Sequence, residues 1–86
     1  DSVIDPVKNK VAIDAGGVIT WNGSPIDLLT LRQYLQQSLR LPVEPELQFQ
    51  PNAQTRYVVV DEVLAEIKRA GVTKLGFVGN EQYSSF

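Results

Sequence analysis

The stretch from Arg56 to Gly79 constrains the fold of this chain more than any other, because it reads as one complete supersecondary unit. Tyr57, Val60, Val63, Leu64, Ile67 and Ala70 recur at three- and four-residue spacing, while Asp61, Glu62, Glu66, Lys68 and Arg69 fill the positions between. That pattern is an amphipathic helix with one buried stripe, and the stripe needs a sheet to cover. Gly71 stands where a left-handed C-terminal residue is wanted, and Val72 is placed to make the hydrophobic contact beyond it. Lys74 to Val78 then read as a short apolar strand. Val58, Val59 and Val60 are β-branched and favour a strand locally. The helix is nevertheless expected, since its downstream stripe continues in phase with Tyr57 and Val60. A strand there would also leave no crossover between the two flanking strands.

Upstream, residues 1–10 are polar, hold Pro6 and carry isolated apolar residues, so they read as a flexible linker or a docking strand. Val11–Ala15 alternates, Gly16-Gly17 tolerates positive φ, and Val18–Trp21 resumes a β-rich run, which predicts a hairpin. Asn22-Gly23 is a second turn. Ser24-Pro25-Ile26-Asp27 resembles a capping box, with Ser24 at the N-cap, Pro25 at the first helical position and an acid three residues on. The helix so begun carries Leu28, Leu31, Leu35 and Leu39 on one side and ends before Pro42. Glu46–Gln50 alternates strictly, as a strand with one face in water does. The fold expected is α+β, a two-layer sandwich with two helices on one face of a mixed sheet in the order ββαβαβ. Residues 11–80 form the domain and 81–86 a tail.

Composition narrows the chemistry. Eighty-six residues with 43% hydrophobic content make one small domain. A net charge of −2, with eight Lys and Arg scattered along the chain, argues against a nucleic-acid partner. No apolar run approaches the ~20 residues that span a bilayer. The start at Asp1, without methionine, reads as an excised soluble domain. Cysteine and histidine are both absent, which excludes thiol nucleophiles, disulfides and imidazole bases.

The remaining candidates for chemistry each have a plainer reading. Asp61, Glu62 and Glu66 are close enough for acid–base work, but a solvated helix face with Glu66 near Arg69 accounts for them. Gly16-Gly17 lacks the spacing of a phosphate cradle and precedes a strand. Ser24 and Ser38 have no base to activate them. Trp21 is read as a core residue, with a ligand platform as the alternative. No catalytic, cofactor-binding or metal-binding residue is expected, and the chain is not read as an enzyme.

The tyrosine that opens the helix, the apolar offsets behind it and the run Lys68-Arg-Ala-Gly-Val-Thr-Lys-Leu-Gly-Phe-Val78 resemble the periplasmic domain of the ExbD/TolR family. The resemblance extends from about Val11 to Gly79, with Val11–Ile19, the Asn22-Gly23 turn and Pro25–Leu39 matching the family's first strand, turn and helix. It departs from the family at Pro51-Asn52, where an Ala-Asp pair is usual, so Asn52 replaces an aspartate. The ending Lys74–Gly79 is closer to ExbD, a biopolymer transport protein.

The resemblance implies the periplasmic domain of an accessory subunit in a motor driven by proton motive force. That subunit would be anchored in the inner membrane by one helix outside this chain, which also carries the proton-handling aspartate. It would couple an ExbB-like channel subunit to a TonB-like protein for energised outer-membrane uptake. A TolR-like subunit of the Tol-Pal envelope system is the alternative, and a small ligand-binding regulatory module or a small hydrolase are the other classes. A homodimer is expected through Leu75, Phe77, Val78, Tyr83 and Phe86. Val3, Ile4 and Val7 are expected to dock weakly along a sheet edge, where a TonB-like peptide binding by strand addition displaces them.

Overall fold

The structure, a computed structural model, describes residues 3–78. Seven elements follow one another: β1 (Lys8–Ile13), β2 (Ile19–Trp21), β3 (Ser24–Ile26), α1 (Leu28–Ser38), β4 (Glu46–Pro51), α2 (Tyr57–Ala70) and β5 (Leu75–Phe77). The five strands form one mixed sheet in the order β3-β2-β1-β4-β5. β1 runs antiparallel to β2 and parallel to β4, and β5 is parallel to β4, so α2 is the crossover of a βαβ unit. The α+β sandwich with a mixed sheet stands, and it gains one strand over the expected four.

That extra strand corrects the helix start. Asn22 has φ 50° and Gly23 φ 91°, the left-handed pair of a two-residue type I′ reversal. The chain therefore turns straight back, and Ser24 pairs with Trp21, Pro25 with Thr20 and Ile26 with Ile19. Ser24 is thus a strand residue and not a cap. Asp27 caps α1 instead, its Oδ1 accepting from the Thr30 amide at 2.8 Å. Two cap-competent residues precede the apolar periodicity, and the reversal, which the local cap pattern cannot register, selects the second.

The core lies between the helices and one sheet face. Val11 and Ile13 of β1, Ile19 and Trp21 of β2, and Leu47 and Phe49 of β4 meet Leu31 and Leu35 of α1 and Val60, Val63, Leu64 and Ile67 of α2. The valine run is helical, because Val60 at its end enters this core while Val58 faces out. Tyr57 does not join the stripe: it is 58% exposed. Gly71 closes α2 with φ 95° and donates its amide to the Lys68 carbonyl at 3.1 Å. The β1–β2 turn is fastened by Asp14, whose Oδ1 accepts from the Val18 amide at 2.8 Å, with Gly17 at φ 92°.

The N-terminal segment is tied to the body more firmly than its composition suggests. β1 begins at Lys8, three residues before the expected strand, and Ile4 belongs to the core. Asn9 is the hub: its Oδ1 accepts from the Asp5 amide at 2.7 Å and from Asn22 Nδ2 at 2.8 Å, and its Nδ2 donates to the Asp5 carbonyl at 2.9 Å. Trp21 Nε1 donates to the Val3 carbonyl at 2.8 Å, and its ring packs edge-on against Tyr34 with centroids 5.3 Å apart. The tryptophan is a core residue.

Candidate functional site

The two edges of the sheet differ in what they offer a partner. On β3 the residues beside the two-residue turn bond to β2, so the next residue, Pro25, turns its backbone outward. Proline has no N–H, and this short edge is therefore blunted. On β5 the Lys74 carbonyl accepts from the Leu47 amide at 2.8 Å and the Val78 amide donates to the Phe49 carbonyl at 3.0 Å. Those residues face β4, and Leu75, one step out of phase, directs its N–H and C=O away from it. β5 is the outermost strand on its side of the described sheet.

Glu44 sets where this edge begins. One of its oxygens accepts from the Thr73 amide at 2.8 Å and the Lys74 amide at 3.1 Å, and the other from the Thr73 hydroxyl at 2.6 Å. The Thr73 hydroxyl and these two amides hold the Glu44 carboxyl below its ordinary value against the opposing effect of burial. Because Glu44 sits in a loop with no periodic pattern, nothing in the sequence marked it. Above the edge a groove of about 410 Å³ opens between α2 and β5, lined by Tyr57, Asp61, Leu64, Lys68, Leu75 and Phe77. Phe77 is 43% exposed there and stacks edge-on against Phe49 at 5.8 Å.

Of the expected dimer residues, Leu75, Phe77 and Val78 lie together at this edge, and Tyr83 and Phe86 lie outside the described residues. Of the expected docking residues, Ile4 is buried at 7% exposure, whereas Val3 and Val7 are exposed. The segment lies against Trp21, Asn22, Ile26 and Tyr34, at the far end of the sheet from β5. The Val7 carbonyl accepts from the Glu46 amide at 2.9 Å, which lengthens the central β1–β4 ladder.

The acidic cluster on α2 is corrected too. Asp61 and Glu62 are solvated, but Glu66 is buried between the helices. It accepts from Arg32 Nε at 3.0 Å and Nη2 at 2.9 Å, and from Arg69 Nη1 at 2.9 Å. The Arg32 hydrogen bonds chiefly hold its carboxyl below the ordinary value, with burial opposing and Arg69 adding to the effect. Only the i,i+3 partner was legible, since Arg32 lies 34 positions away. Asn52, at the place of the family aspartate, accepts from the Gln54 amide through Oδ1 at 2.9 Å. An amide oxygen makes that turn bond as a carboxylate does.

Among the described residues this is a small α+β domain whose outermost strand, β5, lies beside a groove of mixed apolar and charged lining. The family model described as "Biopolymer transport protein ExbD/TolR" matches residues 2–82, and the chain belongs to that family. It is also 31% identical over 75 residues to "Biopolymer transport protein exbD2" of Xanthomonas campestris pv. campestris, which covers 85% of this chain and 55% of the relative. The chain thus spans about half the length of that relative. Among the described residues no helix is long and apolar enough to cross a membrane.

Proposed function

We propose that this chain is the periplasmic domain of an accessory subunit in an inner-membrane motor driven by proton motive force. In this reading it couples an ExbB-like channel to a TonB-like protein for energised outer-membrane uptake. Membership of the family over residues 2–82 carries the reading, and the likeness to a protein named exbD2 supports ExbD over TolR. The membrane anchor belongs to sequence outside this chain. The domain works as a homodimer through the β5 edge, with Leu75, Phe77 and Val78 among the contacts, and a TonB-like peptide binds by strand addition.

Val3, Ile4 and Val7 are the residues that such a peptide exchanges with if it enters at the N-terminal segment. Amide shift mapping with the full chain and with one starting at Lys8 tests that route, and equal binding by both excludes displacement. The transport reading is tested by deleting the gene for the full-length protein. Loss of receptor-dependent uptake with intact detergent resistance is expected. Detergent sensitivity with normal uptake would assign the protein to the Tol-Pal system instead.

A further inference from the structure

From the cluster at Glu66 we infer a second contact surface, in which Arg69 and Arg32, held in place by that buried carboxylate, receive an acidic side chain of a partner protein in the cleft between α1 and α2. This surface belongs to the helix layer and is independent of strand addition at the sheet.

The donors left over define it. A guanidinium group carries five N–H donors, and Glu66 engages Nε and Nη2 of Arg32 but only Nη1 of Arg69. Arg69 therefore keeps its Nε/Nη2 edge. That is the edge with which Arg32 grips Glu66, a side-on fork that matches the two oxygens of a carboxylate. Arg32 Nη2 and Arg69 Nη1 meet on the same oxygen, each at 2.9 Å, so the two guanidinium groups are neighbours and Arg32 Nη1 is a further donor beside them. Glu66 is buried while the Arg69 side chain is 67% exposed, which puts the anchoring acceptor inside and the remaining fork within reach of a partner.

Charge decides what the cleft takes. One carboxylate offsets one of two guanidinium groups and leaves a local surplus of one positive charge, on a chain whose net charge is −2. A monoanion matches that surplus. Arg32 is the one charged residue of α1, and among the described residues Asp61 and Glu62 of α2 form no ion pair with either arginine, so no neighbouring carboxylate on the two helices competes. The cleft, about 100 Å³ and lined by Arg32, Gln36, Glu66, Arg69 and Ala70, has the room of about three waters at ~30 Å³ each. That suits a carboxylate and is too small for a nucleotide or a sugar.

Magnitude decides where the carboxylate comes from. An exposed ion pair changes an affinity by about fivefold at most, which does not hold a small free carboxylate on its own. The acid is delivered by a larger surface. Leu29, Arg32 and Gln36 lie along one face of α1 at three- and four-residue spacing, and Leu29 is exposed, so an apolar residue of the same partner segment has a place one turn from the acidic one.

The test is shift titration of the chain, following arginine Nε–H and backbone amide resonances, with a synthetic peptide that alternates Glu and Leu and with its Gln-for-Glu counterpart. Shifts are expected at the Nε–H of Arg69 and Arg32 and at the amides of Leu29, Gln36 and Ala70, with the Glu peptide binding at least about threefold more tightly than the Gln peptide. Arg69→Gln removes that preference. Its urea midpoint stays close to the parent's, because Arg32 still holds Glu66, and Arg69→Lys, which keeps the charge without the fork, restores the preference only in part. Leu29→Ser weakens both peptides alike. Equal affinity for the two peptides, a preference that survives Arg69→Gln, or shifts that leave both arginines unmoved would overturn the inference. Tighter binding of sodium acetate or inorganic phosphate than of the Glu peptide would also overturn it, by making the cleft a small-anion site. Tighter binding of phosphatidylglycerol vesicles would do the same, by making the seam a lipid contact. The transport reading stands or falls by the uptake test and is untouched by any of these results.

Discussion

Single residues in this domain carry roles that their neighbours in sequence conceal, and Glu66 is the clearest. Counted among the solvated positions of α2, it is the buried acceptor of a clasp that joins α2 to α1 through Arg32. Both arginines are well exposed, so Glu66→Gln is expected to cost only about 1 kcal/mol. The sign with pH is fixed by the lowered folded value. The clasp contributes in full above the ordinary carboxyl value of 4.5 and is lost as pH falls through the lower folded one. Urea unfolding of both proteins should therefore differ at neutral pH and converge in acid. Gly71 is a second such residue. With φ 95° and nothing within 4 Å of an added Cβ, Gly71→Ala meets only backbone strain, about 1 kcal/mol. Gly76→Ala, whose Cβ would meet Glu46 Oε2 at 3.6 Å, should be near neutral by the same measurement.

At the scale of elements, β3 stands where a helix start was expected, and the N-terminal segment, expected as a linker or a docking strand, buries Ile4. Ile4 fills the core end beside Trp21, while Val7 stands in solvent, so the two apolar residues of one segment are not equivalent. Ile4→Ala is expected to cost about 2 kcal/mol and Val7→Ser less than about 0.5 kcal/mol, read from denaturant midpoints. β3 owes its inertness to Pro25. Pro25→Thr returns an outward N–H to that edge and should increase concentration-dependent light scattering without lowering the melting temperature.

For the whole molecule, the sheet's two edges set how it assembles. One is blunted by Pro25, and β5 is the outermost strand on the other side of the described sheet, so the proposed self-association through β5 should be isologous and stop at two copies. Sedimentation equilibrium of the chain should show a weak dimer toward millimolar concentration, weakened further by Leu75→Lys. A strictly monomeric protein at that concentration would remove the dimer from the proposal.

Periodicity marked the two helices, β1 and β4, because an apolar stripe or an alternation records which face a segment buries, while β2 and β5 were read from short β-rich or apolar runs beside turn glycines. Gly71 and the Gly16-Gly17 turn were legible for the same local reason, a backbone geometry that few residues adopt. What only the tertiary structure decided involves partners distant in sequence. Asn9 meeting Asn22, Trp21 meeting the Val3 carbonyl, Glu44 capping the start of β5 and Arg32 reaching Glu66 are fixed by how elements stack. The choice of Asp27 over Ser24 as a cap belongs with them, since strand pairing consumed the first candidate. The place of β5 at the outside of the described sheet does too: a strand is outermost only by virtue of where its neighbours lie, and no residue of Leu75–Phe77 encodes that by itself.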